Sequence, residues 1–440
     1  MVNLVQMQHI QPLYARSLTN TRFLQQQLFY PLLLWYALGL AVVMSASFLV
    51  MAYLSHSHVT FATFERQHVF LFIAVAFAYL LAAILVEKTN RFPGWSSIAV
   101  VVPVVSGVFL ILVCLLLIGR LYYARSFLVM AYFVTLFWLM FGLYVRRRLF
   151  VPHLALVTVG EAAALSDIRS IRWQVLKEPI LTDRNIHGVV VDLHADLPVE
   201  WQRFIANCVL HRIPVYHSLL IYESMTGRVS LDHLSEGLLN NQGPSAPHAL
   251  IKRCFDLIIV LASLPIVVPF MLVMALIIRL DSPGPVLFIQ KRVGREDRVF
   301  SMVKFRSMHV GAEDDGARFA DAGDSRITRV GKFMRKLRVD ELPQIWNILM
   351  GHMSLVGPRP EQSCFVKKFE EEIPFYRFRH SVRPGITGWA QVTHGYTADT
   401  ESTTEKLERD IYYIKYMSFW LDFSILMRTA RTLVTGFGAR

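Results

Sequence analysis

Cysteine and charge are both scarce in this chain. Four cysteines occur in 440 residues, Cys114, Cys208, Cys254 and Cys364, far apart and without a CxxC pair. That spacing suggests neither a zinc knuckle nor a disulfide framework, and the four read as buried thiols. Charged residues make up 18% of the chain and hydrophobic residues 54%, a more apolar balance than soluble domains usually carry. No nucleic-acid recognition motif accompanies the net charge of +12, so no nucleic-acid partner is expected. The charge reads instead as attraction to anionic lipid headgroups or to phosphate-bearing substrates. The first twenty residues are polar, with no short apolar core before a small-residue cleavage site, and no cleaved signal peptide is expected.

The apolar excess lies mostly in the first third. Pro31 to Leu54, Val69 to Val86, Ser97 to Ile118 and Phe127 to Tyr144 are each near the length of about 20 residues that crosses a hydrocarbon layer as a helix. Arg16, Arg22, Lys88, Arg91, Arg146, Arg147 and Arg148 fall in alternate connections, against Arg66, Arg120 and Arg125 in the others. Excess basic charge marks the cytoplasmic side, so four spans over residues 1–150 place everything after Arg148 in the cytoplasm. Residues 151–239 change rhythm: LALVTVG, WQVL, HGVVVDL, a helix near Glu200 to Leu210, then IPVYHS, the pattern of a small parallel α/β sheet. The first strand runs into Gly160-Glu161-Ala162-Ala163-Ala164 where a dinucleotide fold has GxGxxG. This reads as a degenerate Rossmann-like domain that serves spacing or dimerisation, closed by a polar linker at 240–249. Cys254 to Leu280 is a fifth apolar run holding Pro265 and Pro269, and a proline inside a helix bends or breaks it. A simple fifth span would move residues 250–440 across the membrane. A helix that enters, bends at Pro265 and returns keeps them on one side.

The chemistry is concentrated in DSRITRVGKFMRKLRVDELPQIWNILMGHMSLVGPRPE, Asp324 to Glu361. Val330, Phe333, Met334 and Leu337 follow helical spacing, which packs an apolar stripe and frees Lys332, Arg335 and Lys336. Leu342, Ile345, Trp346 and Leu349 repeat the pattern, with Gly351 as the stop and Asp340 at or near the N-cap. A carboxylate there is held anionic and can serve as a nucleophile toward phosphorus or merely as a cap; Arg326, Arg329, Lys332, Arg335, Lys336 and Arg338 just upstream favour the first reading. Gly357-Pro358-Arg359-Pro360 presents one guanidinium suited to phosphate. Lys304-Phe305-Arg306-Ser307-Met308 closes a hairpin that begins at Gly284, and Arg383-Pro384-Gly385-Ile386-Thr387-Gly388-Trp389 makes a further turn.

Through KRCFD, GPVLFIQKRVG, KFRSM, VDELPQ, MSLVGPRPE and RPGITGWAQV, residues Lys252 to about Leu433 resemble the bacterial sugar transferases, the polyprenyl-phosphate hexose-1-phosphate transferases. The resemblance implies a membrane-helical N-terminal region, a degenerate α/β middle domain, and a mixed α/β catalytic domain with a re-entrant helix at about 254–280. It also implies Asp340 and Glu341 as the catalytic pair, with Asp340 carrying a phosphosugar and Mg²⁺ assisting, Glu341 being the candidate metal ligand. Lys304, Arg306, Arg335, Arg359 and Arg383 are the candidate substrate cations, and Pro265 the membrane bend. The implied partners are a UDP-sugar, undecaprenyl phosphate, inner-membrane lipids and a second copy in a homodimer. Leu264 stands where the family usually has Ser before the bend proline, with Ser263 one place earlier, and THGYT replaces the family's GR after the GITGWAQV run. A glycosyltransferase using the acidic run Glu313, Asp314 and Asp315, and a non-enzymatic scaffold for polysaccharide assembly, are the rival readings.

Overall fold

The computed structural model describes residues 29–54, 66–90, 93, 97–149, 151–168, 171–181, 183, 186–231, 246–312, 324–393 and 400–435. The acidic run at 313–315 and most of the 240–249 linker lie outside them. The chain divides into two compact units, Met1–Thr226 and Gly227–Arg440.

The first unit opens with four apolar helices, α1 (Phe29–Leu54), α2 (Arg66–Thr89), α3 (Ser97–Ile118) and α4 (Arg125–Leu149), each long and apolar enough to cross a membrane. Close packing replaces the hydrophobic effect between such helices. Gly39 of α1 lies against Trp138 of α4 and Tyr79 of α2, and Gly142 against Trp35, with no room for a Cβ at either glycine. Trp35 and Trp138 stack with centroids 4.6 Å apart. Arg146 reaches Glu87 at 2.7 Å, so the one charged pair described between these helices sits near their ends.

The α/β part of this unit has β1 (His153–Val157), β2 (Arg172–Leu176), β3 (Gly188–Val191), α5 (Val199–Leu210), β4 (Val215–His217) and α6 (Ser218–Thr226). All four strands are parallel, in the order β2-β1-β3-β4. Successive side chains of a strand face opposite ways. Accordingly Leu154, Leu156, Val190 and Tyr216 pack beneath the 3-10 turn at Gly160–Asp167 and Ile221 of α6, while Ala155, Val157, Val189 and Val191 pack on Trp201, Phe204 and Cys208 of α5. Helices therefore cover both faces, which is why these strands read as nearly continuous apolar runs.

The second unit begins with α7 (Ala246–Asp281), 36 residues or about 54 Å if straight. Pro265 and Pro269 fall inside it, and the helix carries through both without an interruption. The Ser263 hydroxyl donates to Val260 O at 2.8 Å, not to the Leu261 carbonyl that Pro265 leaves without a donor. Both flanks of α7 are fastened to the same globular unit. On the early side, Lys252 pairs with Asp422 at 2.6 Å, Arg253 donates to Ile348 O and Leu349 O, and Asp256 accepts from Ser354. On the late side, Met274 and Ile278 pack on Phe305 and Met334. Between them, Leu261, Ile266, Phe270 and Leu272 are exposed.

After α7 come β5 (Leu287–Val293) and β6 (Val299–Phe305), the expected antiparallel hairpin, then α8 (Arg329–Lys336), a 3-10 turn at Val339–Gln344, α9 (Ile345–Leu349) and β7 (Ser354–Val356). Next are α10 (Ser363–Glu372), β8 (Gly385–Thr387), α11 (Trp389–Thr393), α12 (Thr400–Lys415) and α13 (Phe419–Thr435). The run from Arg383 is thus not a bare turn: its Gly385 to Thr387 pair in parallel with β7. The stripe expected on α8 is only partly packed, since Met334 is fully buried but Phe333 is 59% exposed, as is Trp346 of α9 at 55%. α8 has eight residues and α9 five, so neither is long enough to lay a full stripe against the core. Among the cysteines only Cys208 is buried; Cys114, Cys254 and Cys364 sit on outward helix faces. Because both flanks of α7 hold one globular unit, cysteines placed at Arg172 and Arg298 in a cysteine-free background should react with an impermeant maleimide from the same side of the membrane. Labelling from opposite sides would show that α7 crosses fully.

Candidate active site

Thr328 caps α8, its hydroxyl accepting from Gly331 N–H at 2.9 Å. At the far end Arg338 takes a left-handed backbone (φ 54°), uncommon for a side chain with a Cβ, and this turns the chain into the 3-10 turn that carries Asp340 and Glu341. Asp340 is therefore inside the turn and makes no cap; Arg338 holds the N-cap position. Both carboxylates are buried. Asn347 fixes the turn against the hairpin by imitating a strand: its Oδ1 accepts from Val303 N–H at 3.0 Å and its Nδ2 donates to Ser301 O at 2.7 Å. Lys304 on β6 is thereby brought up to the acidic pair.

The two carboxylates are treated differently. Glu341 accepts from Arg359 Nη2 at 2.8 Å, with Arg338 at 4.0 Å; burial alone would raise it, but Arg359, Lys304 and Arg338 hold it down at about 2. No hydrogen-bond donor among the described residues reaches the Asp340 carboxylate. Burial and the charge of Glu341 push it up to about 6, against Lys304, Arg335 and Arg359. Lys304 is lowered to about 8 by its burial and by Arg359. Arg335 Nη1 is a buried donor with no acceptor among the described residues. An uncommitted carboxylate, a lysine and an arginine thus converge with donors and charge unspent, an arrangement suited to a polyanion.

The model of the bacterial sugar transferase family matches residues 247–436. A UDP-N-acetylgalactosamine-undecaprenyl-phosphate N-acetylgalactosaminephosphotransferase of Aeromonas hydrophila is 48% identical over 364 residues, 82% of this chain and 86% of that protein. The chain belongs to the bacterial sugar transferase family. It is a transferase. Two further relatives match over less than half of this chain. The UDP-glucose:undecaprenyl-phosphate glucose-1-phosphate transferase of Escherichia coli (strain K12) is 40% identical over 42% of this chain and 40% of its own length. The undecaprenyl-phosphate glucose phosphotransferase of Komagataeibacter xylinus is 42% identical over 41% of this chain and 35% of its own.

Within this transferase, Asp340, Glu341, Lys304, Arg335 and Arg359 share one electrostatic neighbourhood. Arg306 and Arg383 stand apart from it. Arg306 donates to Ser282 O and Oγ and to Pro283 O, tying the end of α7 to β6. Arg383 donates through Nε to Gly351 O at 3.1 Å and has Arg253 and Arg295 as neighbours. Arg326 is engaged with Asp324, and Lys332 and Lys336 are exposed. Pro265 lies within the exposed middle of α7. The donors fit a Mg²⁺ ion: hard carboxylate oxygens suit it, Asp340 is uncommitted, and only one Glu341 oxygen is taken at hydrogen-bond distance.

The loop that presents Arg359 is held by the glycines of two motifs and by buried charges behind it. Gly357, Gly385 and Gly388 bring two backbones so close that a Cβ at any of them would overlap main-chain atoms of the other segment. Arg379, 3% exposed, donates to Arg359 O and to Asp410 at 2.9 Å each. Glu361 is gripped by Lys406, Arg292 and Arg379 and, against its burial, is held down at about 2. The polar residues of α12 look like a solvated face in sequence, and only its packing against the segment around Arg379 reveals their role. Asp410→Asn removes one counter-charge of a buried arginine and should cost on the order of 3 kcal/mol of stability, read from denaturant unfolding of the purified chain. An unchanged midpoint would mean that the network does not brace the loop.

Proposed function

We propose that the chain transfers a sugar-1-phosphate from a UDP-sugar to undecaprenyl phosphate, starting a surface polysaccharide at the bacterial inner membrane, with the globular parts on the cytoplasmic face. The uncommitted Asp340 carboxylate, ringed by Lys304, Arg335 and Arg359, carries the reading. Asp340 attacks the sugar-bearing phosphorus; the P–O bond to the nucleoside phosphate breaks and UMP leaves, with the phosphosugar held as an acyl phosphate. An oxygen of the carrier phosphate then attacks the same phosphorus, the bond to Asp340 breaks, and polyprenyl diphosphate sugar is released. Lys304, Arg335 and Arg359 offset the charge of the diphosphate as it develops. Glu341, anchored by Arg359, keeps its charge through both steps and holds that guanidinium in place. Mg²⁺, bound through Asp340 and Glu341, would supply further neutralisation of phosphate oxygens.

Among UDP-sugars, N-acetylgalactosamine is favoured, because the Aeromonas relative alone of the three described matches through both units. The four apolar helices and the fastening of both flanks of α7 to one globular unit support the membrane placement. The middle domain is read as Rossmann-like without a dinucleotide.

A panel of UDP-sugars given with undecaprenyl phosphate and Mg²⁺ should yield UMP. Release of UDP would instead assign a glycosyltransferase, and no release at all would favour a scaffold. The pH dependence follows from the charges. Asp340 must be ionised to attack, so kcat/KM should fall as pH drops through about 6; Lys304 must be protonated to bind phosphate, so it should fall again as pH rises through about 8. Such a bell reports the free enzyme. A profile flat down to the ordinary carboxylate range would contradict the assignment of Asp340.

A further inference from the structure

The middle sheet carries a cluster that the transfer reaction does not use. In parallel α/β sheets ligands sit beyond the carboxyl ends of the strands, where the chain order reverses. With the order β2-β1-β3-β4 that point lies between β1 and β3. Asp192 follows β3, His194 comes two residues later, and His217 ends β4. One donor atom from each lies within 4.8 Å of the others.

The crevice is closed to phosphate. Gly160 has φ +65°, and a Cβ there would overlap Asp192 and Ala195. Asp192 Oδ2 accepts the Glu161 N–H at 3.1 Å and Oδ1 the His194 N–H at 3.0 Å. A carboxylate thus occupies the backbone donor at the head of the first turn, where a dinucleotide fold would place its pyrophosphate. What such a crevice can take is a cation, and two imidazoles beside one carboxylate select a borderline transition metal over Mg²⁺ or Ca²⁺.

We propose that Asp192, His194 and His217 form a binding site for a divalent ion of the zinc class, one that clips the end of β3 to the end of β4. His217 Nε2 and His194 Nδ1 face each other at 2.9 Å. Donors on a tetrahedral zinc stand about 3.3 Å apart, so the rings need to part by only a few tenths of an ångström, and the carboxylate must close by at most about 1.5 Å. Without metal, His217 Nδ1 accepts the Leu219 N–H at 3.0 Å, which places the ring proton on Nε2, shared with His194. Metal binding moves that proton to Nδ1, where the Ser218 hydroxyl, 3.4 Å away, is the acceptor. Leu219 N–H is released, and the His217 ring keeps its one proton, now on Nδ1. The ion replaces the shared hydrogen, with no proton lost. The two N–H bonds to Asp192 serve as the outer support that ligating carboxylates require. Exposed His194 gives the ion its way in, and water completes the fourth position.

The test uses the full chain in detergent, stripped with EDTA and kept in excess Mg²⁺, titrated with Zn²⁺ against a chromophoric chelator. One equivalent should bind, and Co²⁺ in its place should show the intense visible bands of a tetrahedral site. His194→Ala changes an exposed side chain outside the core and should weaken zinc binding roughly a hundredfold or more, and Ser218→Ala about tenfold. Metal-free unfolding of His194→Ala should match the parent, separating ligand loss from misfolding. Zinc uptake equal in the parent and in an Asp192→Asn, His194→Ala double variant would overturn the proposal, leaving a closed hydrogen-bond network.

Discussion

Two carboxylates next to each other in sequence and both withdrawn from water repel one another, and the second unit is built around that repulsion. Glu341 is given to Arg359 and, at longer range, Arg338. Asp340 has charge near it but no hydrogen bond from the described residues. Side chains on neighbouring residues of a tight turn diverge by about 100° or more, so one short turn can hand its two acids to different partners. The asymmetry lets one be permanently ionised while the other is poised close to neutrality, which is how paired acids acquire distinct tasks.

Holding that asymmetry requires rigidity at Arg359. Its loop is clasped by the close backbone approach at Gly357, Gly385 and Gly388 and by Arg379 and Glu361 behind it. The other side of the turn is set by Asn347 of α9, which is bonded to Val303 and Ser301 of β6. Both supports are continuous with α7, whose Val260 joins Phe300, Met302, Ile348 and Met353 in one apolar cluster. The apolar helix is thus part of the same packing that places the acids, so the acidic pair and the apolar segment are built as one body.

Much of this was legible in the sequence, because the strongest signals are local. Apolar runs marked the long helices, short apolar segments marked the parallel strands, and the hairpin lies between Gly284 and the Lys304-to-Met308 run, as expected. The acidic pair, Lys304, Arg335 and Arg359 lie in one neighbourhood. Other features depend on tertiary context. Arg306 and Arg383 sit in equally basic motifs, yet the carbonyls of Ser282 and Pro283 just after α7 and of Gly351 claim them. Asp340 looked like a cap because helix patterning followed it, but the positive φ of Arg338 starts the turn two residues earlier. Arg379 and Asp410 are separated by thirty-one positions, and nothing local announces that they meet.

The central claim is that Asp340 itself carries the phosphosugar. Incubating the purified enzyme with UDP-sugar and Mg²⁺, without polyprenyl phosphate, and measuring the mass of the peptide that contains Asp340 tests it most directly. That peptide should gain one phosphosugar in step with UMP release, and Asp340→Asn should lose both the adduct and several orders of magnitude in turnover. A folded Asp340→Asn enzyme that turns over near the parent rate, or an adduct on another residue, would contradict it.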